Sequence, residues 1–155
     1  MNKIKVMNIN ELEATHKDEH KDYEYFRKSF LPRKDQNKTM VNVYEIPPLK
    51  SAYPYHYHLK NEETFYIISG EGILKTPEGE KLVKAGDLLF FPPNNDGAHK
   101  LTNKSKTENL VYIDFDVINK VDVTVYPDSS KIVVWGEGTN KIFKLEDSTA
   151  YYDGE

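Results

Sequence analysis

From Met40 to Val117 apolar residues come in short runs, or alternate with polar ones, and turn residues close each run. Met40 to Ile46, Tyr53 to His58, Thr64 to Ser69, Gly72 to Thr76, Leu88 to Phe91, Ala98 to Thr102 and Leu110 to Val117 have the length and composition of strands. Pro47-Pro48, Pro77-Glu78-Gly79 and Pro92-Pro93 punctuate them. Many short strands at such spacing predict an all-β sandwich or barrel. Beyond Asn119, Val121 to Tyr126, Lys131 to Trp135 and Lys141 to Leu145 predict further strands, and Tyr151 to Glu155 a tail. Upstream the texture differs. Asn10 to about Tyr25 is polar, with Asn10 placed as an N-cap and Glu13 three residues on, which predicts a short helix ending before Leu31-Pro32. The chain thus divides into an N-terminal helical or extended segment (1–39), a core barrel (40–118), and C-terminal strands and tail on that barrel (119–155).

The densest chemistry is His56-Tyr57-His58-Leu59-Lys60-Asn61-Glu62-Glu63, answered later by His99. Two histidines one residue apart on a strand share a face, because side chains alternate with period two. Glu63, past the polar Lys60-Asn61 turn, can close on that pair from the next strand, and His99 can add a third imidazole. Imidazole with carboxylate suits Zn, Fe, Mn, Ni or Cu; Ca and Mg prefer oxygen alone.

At these residues the sequence resembles the cupin family. His56, His58, Glu63 and Gly70 fall on its first motif, and Gly86, Pro92, His99 and Asn103 on its second, within a stretch from about Val41 to Val117. The resemblance implies a single jelly-roll barrel holding one divalent transition-metal ion (Fe, Mn, Zn or Ni) on His56, His58, Glu63 and His99. Two places depart from the pattern. Lys50 stands where the family has a glycine, and Pro92 to His99 is about two residues longer than the family's turn. Asn95-Asp96-Gly97 tolerates positive φ and can absorb the extra length.

Parity sorts the neighbouring side chains. Glu63, Phe65 and Ile67 share the metal-facing side of their strand, which makes Glu62 a false ligand. With His56 and His58 facing inward, Tyr53, Tyr55 and Tyr57 form an aromatic row on the far face, covered by a second subunit or by Met1 to Arg33 folding back. The expected state is a homodimer through that row. In Leu110 to Val117, parity sets Val111, Ile113, Phe115 and Val117 against Tyr112, Asp114 and Asp116 without saying which set lines the pocket. His16-Lys17-Asp18-Glu19-His20 matches the His-x-x-Glu-His pattern of inverted zinc proteases, but such a pattern arises readily in a charged helix, and a solvated face is the better reading.

Composition sets the bounds. A chain of 155 residues buries one core of ordinary size. A net charge of -4 with scattered Lys and Arg gives no argument for nucleic acid. The absence of cysteine excludes disulfides, thiolate catalysis and Cys-based zinc sites. With no apolar run of signal or membrane length, the expected location is cytoplasmic, with no membrane partner. The reading placed first is a metal-dependent enzyme, an oxygenase, isomerase or decarboxylase, acting on a small oxygenated molecule (sugar derivative, carboxylic acid or enol) that chelates the metal. A non-catalytic ligand-binding or sensor barrel is the alternative, and a metal-free isomerase or epimerase the third. Three neutral imidazoles must donate, so metal affinity should fall below about pH 6.5.

Overall fold

Short alternating runs can bury their apolar sides only by pairing edge to edge and stacking sheets, and this chain does both. The computed structural model describes residues 4–33, 37–136 and 138–155. Its strands are β1 (Ala14–His20), β2 (Tyr23–Leu31), β3 (Thr39–Ile46), β4 (Tyr57–His58), β5 (Glu62–Ser69), β6 (Glu71–Thr76), β7 (Gly79–Lys84), β8 (Leu88–Phe91), β9 (Lys100–Asn103), β10 (Leu110–Val117), β11 (Asp122–Tyr126), β12 (Lys131–Gly136) and β13 (Thr139–Lys144). They form a six-stranded sheet in the order β1-β2-β3-β10-β5-β8, a four-stranded sheet β13-β12-β11-β4 and a three-stranded sheet β7-β6-β9. Tyr44, Ile46, Phe65, Ile67, Leu110 and Tyr112 of the large sheet share one core with Leu74, Val83 and Leu101 of the smallest. This is the all-β architecture the patterning predicts, in the jelly-roll arrangement the resemblance implies.

The N-terminal segment is corrected. Asn8, not Asn10, caps the chain, closing a capping box with Glu11 over one 3-10 turn at Ile9–Glu11, after which the backbone extends into the β1–β2 hairpin. Helix propensity between Asn10 and Tyr25 loses because the segment has no apolar stripe to bury at helical spacing. Extended, it adds two strands to the edge at β3, and His16 stacks on Phe26 at 4.2 Å. The parts of the expected N-terminal segment at 1–3 and 34–36 lie outside the described residues.

The aromatic row is corrected too. Tyr53 to Tyr55 is not strand; only Tyr57–His58 is, and His56 meets His99 in an isolated bridge. The bend at Pro54 breaks the parity and turns Tyr53 inward, where its hydroxyl lies 2.9 Å from that of Tyr44 and its ring 5.3 Å from Tyr25. Tyr25 comes from β2, so the N-terminal strands cover Tyr53 within one chain. Tyr55 sits under the Lys75 ammonium at 4.2 Å instead.

Candidate metal centre

Three stretches bring the four ligand candidates together. His58 lies in β4 and Glu63 in β5, whose alternating burial sends Glu63, Phe65 and Ile67 inward and leaves Glu62 exposed. His56 and His99 are fixed by reciprocal backbone hydrogen bonds, His56 N–H to the His99 carbonyl at 3.1 Å and the reverse at 2.9 Å. The long turn before His99 closes through a 3-10 turn at Asn95–Gly97, after Asn94 takes φ 70°. A Cβ at Gly97 would lie 1.8 Å from the Pro92 carbonyl oxygen, so this position takes glycine for close approach, while the positive φ falls on Asn94. Asn103 is structural: its buried amide donates to the carbonyls of Ile46 and Glu108 at 2.9 and 2.8 Å.

The imidazoles are oriented alike. His56 Nδ1 donates to the Pro54 carbonyl at 2.8 Å, His99 Nδ1 to the Gly97 carbonyl at 2.9 Å, and His58 Nδ1 faces the Asp122 carboxylate at 2.5 Å. With Nδ1 occupied, each ring turns its Nε2 lone pair toward Glu63, at 3.8, 3.6 and 3.3 Å for His56, His58 and His99. Ligand atoms of His56, His58 and Glu63 lie within 4.8 Å of one another. His99 Nε2 is buried without a hydrogen-bond partner among the described residues, an unsatisfied lone pair that a cation would satisfy. The donor set of imidazoles and one carboxylate fits a divalent transition metal. Phe91 stacks on His99 at 3.6 Å and Tyr126 on His56 at 5.7 Å, closing the rings off from water.

Electrostatics follows from burial. Burial, followed by repulsion from His58, lowers His56 to about 4, and burial with His56 beside it holds His99 well below the usual imidazole range. Burial also works against a charged His58, but Asp122 and Glu63 outweigh it and raise His58. Burial raises Glu63 to about 8, His58 opposing and Asp116 and Asp122 adding to the rise. Asp122 is itself pushed up by burial, yet His58 and the backbone N–H groups of Lys60 and Val123 hold it below the ordinary carboxylate range.

Above the ligands opens a cavity of about 240 Å³ whose lining includes Arg27, Arg33, Asp114, Asp116, Tyr126 and Trp135. Strand register builds it. Glu63 on β5 pairs with Asp116 on β10 and Phe65 with Asp114, so the Tyr112, Asp114 and Asp116 face of β10 points inward and Phe115 and Val117 point out. Asp122, Thr124, Trp135 and Arg27 escape a reading of the sequence, and the face of Asp114 and Asp116 stays undecided there, because their roles depend on which face of a distant strand turns inward. The only signal is the alternation of Asp122, Thr124 and Tyr126, and of Tyr112, Asp114 and Asp116, as polar or aromatic faces of otherwise apolar strands. The protease-like His16 and His20 stand on exposed β1, four residues and thus about 13 Å apart along a strand, engaged with Glu24 and Asp22.

A family model described as the cupin domain matches residues 42–116. An uncharacterized protein of Methanocaldococcus jannaschii is 39% identical over 59 residues, covering 37% of this chain and 45% of its own length. Among solved structures, a protein of Acidithiobacillus ferrooxidans assigned as a sugar phosphate isomerase superposes with TM-score 0.78 at 24% identity over 92% of this chain and 91% of its own. A sugar phosphate isomerase of Silicibacter pomeroyi does so with TM-score 0.80 at 15% identity over 96% and 98%. A Thermotoga maritima protein assigned as an oxalate decarboxylase reaches TM-score 0.62 at 19% over 74% of this chain and 100% of its own. These likenesses carry the fold. The large coverage by the first two extends it to the N-terminal and C-terminal strands.

Proposed function

From the cupin domain matched over residues 42–116, we propose that His56, His58, Glu63 and His99 bind one divalent transition-metal ion, and that the chain is an enzyme acting on a small oxygenated molecule that chelates the ion. The observation that carries this reading is the convergence of three Nε2 lone pairs on one carboxylate, each ring locked through its Nδ1. When bound, the ion polarises a substrate oxygen as a Lewis acid.

The chain's own residues do the rest. Asp122 fixes the tautomer of His58 and strengthens it as a donor; Thr124 Oγ1 lies 3.2 Å from the same Nδ1 and accepts from Trp135 Nε1 at 2.7 Å, so the C-terminal sheet sets the aim of His58. Phe91 and Tyr126 exclude water from the rings. The cavity above supplies room for one small molecule among groups of both charges. Within the candidate substrates, a sugar derivative fits this lining best, and the names of the two broadly covering fold relatives agree with isomerase chemistry.

The test is an assay of the metal-loaded protein with hydroxyaldehydes, hydroxyketones and hydroxy acids, followed by proton NMR with oxygen uptake recorded in parallel. Conversion without oxygen uptake is expected. Oxygen consumption would move the chemistry to oxygenation, and binding without turnover of any compound would leave the non-catalytic reading.

A further inference from the structure

The cavity has a second arm that the metal ligands do not use. Asp114 and Asp116 stand two residues apart on β10, both buried, and their carboxylate oxygens lie within 4.8 Å of one another and of Glu63. Among the described residues neither forms an ion pair, and Asp114 Oδ1 and Asp116 Oδ1 have no hydrogen-bond partner. Both line the cavity, as does Arg27, whose Nε is likewise buried and unpartnered. Asp122, by contrast, is committed to His58 and to the Lys60 N–H. Buried acceptors left open at a cavity wall cost free energy until a donor meets them.

The chemistry of that donor is constrained. Burial, and for Asp114 the neighbouring Asp116, already push these carboxyls up, so further negative charge is unfavourable here and the arm disfavours a simple dicarboxylate. A hydroxyl donates one proton and accepts on its oxygen, and so suits a wall that offers both carboxyl groups and the Arg27 donor. Asp114 and Asp116 lie on one face of one strand, spaced to receive neighbouring hydroxyls of one molecule.

We propose that Asp114, Asp116 and Arg27 form a hydroxyl-recognition arm, and that the molecule bound at this site carries vicinal hydroxyls beyond its metal-chelating end, as a sugar or sugar acid does. This rests on the reading that the four ligand residues anchor that end at a metal, and it narrows the substrate class to polyols.

Gluconate and glycolate share an α-hydroxycarboxylate head, and only gluconate carries a polyol tail. Calorimetric titration of the Mn(II)-loaded protein is expected to show gluconate binding at least about tenfold more tightly than glycolate, which is what one or two hydrogen bonds to buried carboxyl groups contribute. In D114A and D116A the preference should shrink to about twofold or less while metal content stays that of the parent. D114N and D116N keep the side-chain size and carry the test if the alanine variants do not fold; each should lose at least about threefold of the preference. The titrations are repeated on chelator-treated protein. Glycolate binding as tightly as gluconate, no measurable binding of either, or variants that keep the full preference overturn the arm. A chain that takes up no metal yet still prefers gluconate keeps the arm and overturns the metal centre.

Discussion

At the scale of single residues, Asp122 decides how well His58 serves as a ligand. The carboxylate meets His58 Nδ1 at 2.5 Å and is fully withdrawn from water, so Asp122→Asn should leave the fold and the four candidate ligands in place while weakening metal affinity about tenfold to a hundredfold, measured by competition with a chelator. Unchanged affinity would show that His58 needs no such partner. Burial also relocates the pH dependence expected from ordinary histidines. His56, at about 4, is already neutral in mild acid, whereas Glu63, at about 8, holds a proton at neutral pH that a metal must displace. His58, raised by Asp122, acts in the same direction. The sign is therefore that affinity rises with pH, by up to about tenfold per unit below pH 8, and levels off above it. Isothermal titration of metal between pH 6 and 9 checks this, and a curve flat through that range with a fall only in stronger acid would contradict it. Sequence parity was enough to turn Glu63 inward and Glu62 outward, because the alternation of one strand suffices for that. It could not find Asp122, which is 64 positions from His58 and reaches it only because β11 pairs with β4.

At the scale of elements, periodicity was legible where turn or polar residues bound a short apolar run on both sides. Leu88 to Phe91 and Leu110 to Val117 begin and end where the pattern puts them. It misled where tertiary pairing decides. Ala14 to His20 is polar enough for a solvated helix yet becomes an edge strand, and Tyr53 to His58 loses its regularity at Pro54. The turn before His99 shows the same dependence on context. Its extra length is taken up by a 3-10 turn that seats Gly97 against the Pro92 carbonyl, so Gly97→Ala must push the backbone of that turn aside. Because His99 follows two residues later and bridges His56, the variant should lose on the order of 2 kcal/mol of stability, read from urea unfolding, and metal content with it. A Gly97→Ala protein of parental stability and metal content would mean that the turn does not set the aim of His99.

For the whole molecule, the outward face of the large sheet is the unusual surface. Phe115 and Val117 of β10, Tyr66 and Ile68 of β5, and Leu88 and Phe90 of β8 are exposed, Leu88 to 73% and Phe90 to 60%, beside an edge strand that pairs on one side only. Since Tyr53 is covered within its own chain, we propose that the homodimer expected from the sequence forms through this face instead. Light scattering coupled to gel filtration should give twice the 18.0 kDa chain mass, and Phe90→Glu should halve it without loss of metal. A parent that elutes as a single 18.0 kDa chain at micromolar concentration would sink the dimer. The site lies on the opposite side of the sheet and does not depend on that outcome. A bound ion at a hundredfold excess over its dissociation constant stabilises the fold by about 2.7 kcal/mol, so a chelator should lower the melting temperature of the loaded protein. The most direct test of the account is the metal content of the freshly purified parent beside His56→Ala, His58→Ala, Glu63→Ala and His99→Ala, determined by mass spectrometry of the elements. About one transition-metal ion per parent chain is expected, and a small fraction of that in every variant. A parent without metal, or His58→Ala and His99→Ala variants that keep the parental content, would contradict it.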